Sequence, residues 1–345
     1  MKTTQLSVFT ISVLLVLNAN VCPLSAEAPT TSKILFTSTR DGNREIYTMN
    51  PDGSEQMRLT HHPGNDLHAV WSPTGEQILF ISDRDGVRDL FLMDSDGSNV
   101  RRVFRRKIEA WRTSPAWSPD GTQIAYMHLR WDIDEYPTYI ATLGEEKEEE
   151  LLMDAHNPVW SPDGTEIACS IFAQINIVNV RTRKQKRPLS RKIVDRQWQL
   201  SWSAVGNKIA FKGNNHRLPD LKGLELEVAQ ALHKAWNNKW TVFIMNSDGS
   251  GLKQLVPEAG PMASNPAISP NGEAVLYTQE IKGLLQVFKV DVNSGVRTQL
   301  THIGHFFQAN SGGDWFDPEY ALSVSPQPHL LTTTWGKVKK KQTAQ

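Results

Sequence analysis

Six short stretches of the chain end alike, and the residues just ahead of them are the ones equipped for chemistry. The stretches are VWSPTG at Val70, AWSPDG at Ala116, VWSPDG at Val159, SWSAVG at Ser201, AISPNG at Ala267 and a degenerate DWFDPE at Asp314. Three residues before the Trp position stand His68, Ser114, Asn157, Gln199, Asn265 and Gly312. All but the last are polar and none carries a fixed charge, which suits neutral hydrogen bonding. Asp66, Arg112, His156, Trp198 and Asn310 lie close by. Together these residues are read as one ligand-binding surface. The plainer reading is a wall that faces a water-filled channel and needs no ligand.

Other chemistry is sparse. His68, His156 or His305 could serve as a general base, which makes a metal-assisted hydrolase or lyase the alternative to a binding protein. His61, His62 and His68 form only a loose cluster, without Cys or carboxylate at ligand spacing. No G-x-S-x-G, H-E-x-x-H or P-loop motif is present, so neither a cofactor nor a metal is expected. The stretches DSDGSN and NSDGSG read as hairpin turns rather than calcium loops. The run KEEE at Lys147 reads as solvated charge, and the tail KVKKKQTAQ as frayed.

Something must hold these residues, and the sequence says what. The signatures recur at intervals of 42–47 residues, broken once by an interval of 66. That is propeller-like spacing with one insertion of about 24 residues. After each signature comes an apolar run (QILFIS, QIAYM, EIACS, KIAF, AVLY), then an alternating strand (DLFLMD, INIVNV, TVFIMN, QVFKVD), then a turn and a short fourth strand. A four-stranded sheet cannot bury both faces alone; six around an axis can. The chain opens at Lys33 on second, third and fourth strands without a first, and GGDWF at its far end supplies the missing one. The expected fold is all-β: a six-bladed propeller of four-stranded antiparallel blades over 33–322, closed by N-terminal strands plus a C-terminal strand. The signature Trp should fill the wedge between neighbouring blades, its indole N–H finding a backbone acceptor.

The segments STRDGNREIYTMNPDGSEQMRLT and SDRDGVRDLFLMDSDGSN, with the Trp-Ser-Pro-Asp-Gly signature, resemble the TolB-type propeller repeat. The resemblance implies a six-bladed propeller in an extracytoplasmic compartment that binds a partner at its mouth, as TolB docks peptide segments of lipoproteins and toxins. TolB carries a separate α/β domain ahead of its propeller, whereas here the repeats follow an apparent leader directly.

Residues 1–28 have that leader's layout: one basic charge, the apolar run LSVFTISVLLVL, and small residues ending at Ala26 or Ala28. A periplasmic or secreted protein follows, with no transmembrane segment after cleavage and Cys169 as its one remaining cysteine. Lys plus Arg and Asp plus Glu both number 37, so no basic excess marks a nucleic-acid binder. The partner is expected to be a protein, peptide or glycan of the cell envelope, and the propeller a monomer. The long varied connections, second-to-third and fourth-to-first, share one face, where a mouth belongs. There the loop HLRWDIDEYP adds Trp131 and Tyr136. The insertion 213–239 carries Leu221, Leu224, Val228, Leu232 and Ala235 at helical spacing, starting near Pro219 and Asp220 and stopping at Asn237 and Asn238. Such a helix is expected to cover an apolar patch, or else to act as a lid or docking element. Residues 323–345 form a tail.

Overall fold

A computed structural model describes residues 26–105, 111–129, 136–145, 148–152, 154–302 and 309–323. The first 25 residues of the leader, Trp131, His305 and the tail from 324 lie outside the described residues.

Six sheets of four antiparallel strands surround a central axis. Their innermost strands are Asn310–Phe316, Asp66–Trp71, Trp111–Trp117, His156–Trp160, Arg196–Trp202 and Ala263–Ile268, in blades one to six. The split blade is as the sequence suggests. Asn310–Phe316 pairs with Lys33–Ser38, bringing Trp315 opposite Ile34 and Asp314 opposite Leu35.

The signature has a local cause. In Trp-Ser-Pro-Asp-Gly the Ser118 hydroxyl accepts the Gln123 N–H at 2.9 Å, and Asp120 Oδ1 takes the Ser118 O–H and the Thr122 N–H. Ser161 and Asp163 repeat this in the next blade. The outer turns have a steric cause as well. Gly97, at φ +88°, lies so close to the Leu59 carbonyl of the preceding blade that a Cβ would sit 2.5 Å from its oxygen. A glycine meets both demands, and blades press edge to edge there.

Apolar wedges fill all six junctions. Trp160 is buried among Ala125, Ile140 and Leu151 of the third blade and Ile167 of its own. Trp71 packs on Phe316 with ring centroids 5.5 Å apart. The indole nitrogens do not follow the expected rule. Trp315 Nε1 donates to the Ala267 carbonyl at 3.1 Å and Trp202 Nε1 to Asn207 Oδ1 at 2.9 Å. Those of Trp71, Trp117 and Trp160 are enclosed without a protein acceptor. The wedge selects indole for its bulk, and the N–H is carried along.

Main-chain bonds stitch the blades on the loop-rich face. The N–H groups of Asp66, Arg112, Ala155, Gln197 and Ala263 donate to the carbonyls of Arg44, Arg88, Tyr136, Ala173 and Trp240 of the preceding blade, at 2.8–3.2 Å. At the sixth junction a side chain substitutes: buried Asn310 Nδ2 donates to Gln286 Oε1 at 3.2 Å.

The insertion departs from its sequence reading. Its helix spans Leu226–Asn237, because Gly223 at φ +73° interrupts the chain after Pro219 and Asp220. None of its residues is buried, and the apolar cover it gives among the described contacts is that of Trp236 over Trp240. The KEEE run is also not simply solvated. Glu148–Leu152 is the outer strand of the third blade, and Glu148 receives an internal arginine. Among the described residues no helix is long and apolar enough to cross a membrane.

Two outcomes test this packing. Trp160→Ala should lower unfolding free energy by about 3–5 kcal/mol in urea denaturation. Trp160→Phe, which keeps much of the bulk and deletes the unpaired N–H, should cost less than half of that. Equal losses for the two variants would mean that the indole nitrogen has a partner.

Candidate binding site in the central channel

The six residues ahead of the signatures share a backbone state that their types only hint at. His68, Ser114, Asn157, Gln199, Asn265 and Gly312 have φ between +49° and +69°. Each sits at a register shift between the first and second strands of its blade, a β-bulge that turns one residue into the left-handed region. That conformation favours Gly, with Asn and His next among common residues. Gly312 thus fills the same role as the five polar residues. The bulges aim these positions at the axis, where they form a ring around the channel.

Neighbouring ring members bond to one another. Gln199 Nε2 donates to Asn265 Oδ1 at 2.7 Å, and the Asn265 N–H donates to Gln199 Oε1 at 3.0 Å. Asn157 Nδ2 reaches Ser114 Oγ at 3.3 Å. His68 makes no such bond and projects into the channel, exposed to water.

From this ring a void of about 540 Å³ extends toward the face carrying the signature turns. Its rim there includes Pro73, Pro119, Pro162 and Pro270. The segment Asp317–Leu322 lies across one side, tied by the Leu322 N–H to the Pro73 carbonyl at 3.0 Å. Asp66, Arg112, His156, Trp198 and Asn310 do not line this void.

Three of those five are committed within the fold. Asp66 is fully buried and accepts two bonds from Arg84, at 2.9 and 3.1 Å. Burial nevertheless pushes its carboxyl up. Arg112, 1% exposed, bridges Asp89 at 3.0 Å and Glu148 at 2.7 Å. Burial opposes its charge, and the two carboxylates more than offset that, so its basicity rises. Asn310 is spent on Gln286 and Arg40. His156 and Trp198 instead join Tyr136 in an aromatic strip on the loop-rich face, with centroid distances of 4.8 and 4.9 Å. Burial depresses the His156 imidazole. Beside Trp198 across the strand pair is Lys212, its ammonium 4.8 Å from the Trp240 ring centroid and its pKa pushed down to about 8 by burial.

Asp314 is the residue that motif reading passed over. It stands where the other repeats have Val70, Ala116, Val159, Ser201 and Ala267. From the split blade its Oδ2 accepts the Trp71 N–H of the next blade at 2.7 Å. Ser201 Oγ does the same for the Ile268 N–H at 3.0 Å. At the other four junctions the equivalent side chain has no acceptor. The alternation of an antiparallel ladder turns the matching N–H groups toward the channel, because Trp71 and its counterparts lie between residues bonded to the second strand. The wall therefore offers main-chain donors as well as neutral side chains. Enclosure raises the Asp314 carboxyl to about 7, against the bonds from Trp71 and Trp315 that favour its charge. Among the described residues no three His, Cys, Asp or Glu side chains converge as metal ligands.

Residues 16–128 match the family model described as the TolB beta propeller domain. No curated protein matches the chain by sequence. Among solved structures, TolB from Acinetobacter baumannii superposes with a TM-score of 0.65 at 17% identity, over 82% of this chain and 66% of that one. The chain thus spans slightly less than two thirds of that TolB. The nidogen/laminin complex gives 0.60 at 12% identity, over 82% and 98%. An oligogalacturonate lyase in complex with manganese gives 0.54 at 14%, over 79% and 75%. At such identities the likeness is one of fold. The chain is a six-bladed β-propeller, and the match to TolB-type repeats lies in residues 16–128.

The Asp314 environment predicts a pH dependence with a definite sign. Its folded pKa lies above its unfolded one, so the unfolded chain ionises first as pH rises from 4. Stability contributed by the protonated carboxyl is present at pH 4 and lost as pH climbs through 7. Asp314→Asn keeps an acceptor for Trp71 and should match the parent at pH 4. At pH 8 it should be more stable by ~1–2 kcal/mol, less than a dry site gives because water reaches the channel wall. Denaturation curves across pH 4–8 check this; parallel curves for the two proteins would place Asp314 in bulk-like solvent.

Proposed function

We propose that this protein is an exported, TolB-like binding module that holds an extended segment of a protein partner of the cell envelope in its central channel. The observation that carries the reading is the channel wall itself. It combines a ring of uncharged hydrogen-bonding side chains, edge-strand N–H groups without strand partners, and a proline-lined rim around a void of about 540 Å³. Such a wall suits main-chain recognition, in which donors and acceptors at strand spacing meet an extended chain. The aromatic strip Tyr136, His156 and Trp198 on the opposite face is a second contact surface for the same partner.

Two cleavage points fit the leader of an exported chain, after Ala26 or after Ala28. Glu27 and Ala28 already belong to the body: the Glu27 carbonyl accepts from Ser95 Oγ at 2.7 Å, and Ala28 packs on the wedge between the first two blades. Leader cleavage after Ala26 keeps both contacts, while cleavage after Ala28 discards them. Mass spectrometry of the exported protein should find Glu27 at its N-terminus.

The binding test needs variants that respect the backbone. Glycine suits the left-handed ring, as Gly312 demonstrates, so His68→Gly with Asn157→Gly removes polar groups without strain. Capture of a partner from envelope extract should fall at least tenfold, with a melting temperature within about 3 °C of the parent. Retained capture would take the partner away from the channel. His68, facing the void without a protein partner, is what favours the second reading, a metal-assisted hydrolase or lyase. Metal analysis of the purified protein separates them, since a stoichiometric divalent ion lost in the His68 variant would support that second reading.

A further inference from the structure

Among the described residues the insertion helix carries a run of apolar side chains without cover. Val228 is 47% exposed, Leu232 41% and Leu226 72%, with Leu224 at 41% just before the first turn. The helix is held to the propeller at its C-terminal end alone among the contacts described. The Trp236 indole donates to the His216 carbonyl at 2.8 Å, Asn214 Nδ2 donates to the Trp236 carbonyl at 3.0 Å, and Trp236 packs edge-on against Trp240. The apolar stripe along the rest of the helix is exposed.

The charges on that face identify its occupant. At 100° per residue, Val228, Leu232 and Ala235 make one stripe, while Glu227 and Lys234 both fall along a single edge of it. The acid lies in the first turn and the base in the last, and neither has an intramolecular ion pair among the described residues. Glu227 and Lys234 are seven residues apart, two turns along the same edge. Two such helices set antiparallel bring Glu227 of each beside Lys234 of the other, while Val228 of each meets Leu232 of the other. In antiparallel pairs like edges face one another, so the register that matches the charges also matches the apolar side chains. The helix dipoles align favourably too.

We infer that this helix is a self-association surface, and that its partner is a second copy of the same chain related by a two-fold axis. The exposed stripe of Val228 and Leu232 is short, less than a stable interface needs, so a weak, concentration-dependent dimer is expected rather than an obligate one. This departs from the monomer expected above. It is independent of what the channel binds.

Sedimentation of the exported chain tests it. The mean mass should rise from one chain toward two between about 1 and 100 µM. Glu227→Lys and Lys234→Glu should each shift the dissociation constant by at least tenfold, because each places like charges together. Mixing the two single variants pairs Lys with Glu at both contacts and should restore association, as should the double exchange within one chain. Restoration by mixing cannot come from misfolded protein. A wild-type chain that stays monomeric at 100 µM, or single variants that associate unchanged, would overturn the proposal. So would flotation of a monomeric protein with phosphatidylglycerol vesicles through this helix, which assigns the face to lipid.

Discussion

The fold depends on one pairing: the strand Asn310–Phe316 laid against Lys33–Ser38. A single four-stranded blade buries too little to persist, and a row of blades leaves two raw edges. Joining the far ends of the polypeptide removes both edges at once and turns five unit contacts into six. The same pairing sets Asp314 within reach of Trp71. The seam that fastens the ring is therefore also part of the channel wall, and the channel's acidity is a by-product of how the ring closes.

Two layers of polar structure sit on either side of the bulges. Toward the loop-rich face, buried ions are consumed in the fold: Asp66 on Arg84, and Arg112 between Asp89 and Glu148. A lone buried charge is costly, so Arg84 ties the second-to-third connection of the second blade to Asp66 of its own inner strand, and Arg112 joins the third blade to Asp89 of the second. Arg40 and Arg84 of the Ser-x-Arg-Asp-Gly turns do likewise, each donating to Ser38 or Ser82 while lying over a pair of aromatic rings. Toward the signature face, the ring's side chains are uncharged and partly unclaimed, with the Asp314 carboxyl beside them. The two faces of the ring thus differ, one closed by ion pairs and the other lined by uncommitted hydrogen-bonding groups.

Much of this was legible because a repeat reports its own architecture. The spacing of the signatures gave blade number, and the missing first strand at Lys33 pointed to GGDWF. The ring residues were legible as positions but not as conformations. A bulge is a relation between two strands, and nothing in His68 or Ser114 alone announces a left-handed backbone; only Gly312 in the same register hints at it. Asp66 and Arg112 looked available because their partners Arg84, Asp89 and Glu148 are 18 to 36 residues away. Glu148 was further disguised inside a run of acids. The helix showed its stripe in sequence, but periodicity reveals that a face is apolar and not whether anything meets it. Asp314 did leave a signal, being an acid where other repeats keep a small or branched residue.

The left-handed bulge has an evolutionary corollary. A six-membered collar that tolerates few side-chain types gives a narrow alphabet in which to write selectivity. Lineages that retune such a pore must do so by exchanging glycine, asparagine, histidine and their like, or else by placing a new group one step removed, at the residue beside the signature indole. Diversification should accordingly be slow in the collar and fast in that adjacent circle, which is where this chain has put its lone carboxylate.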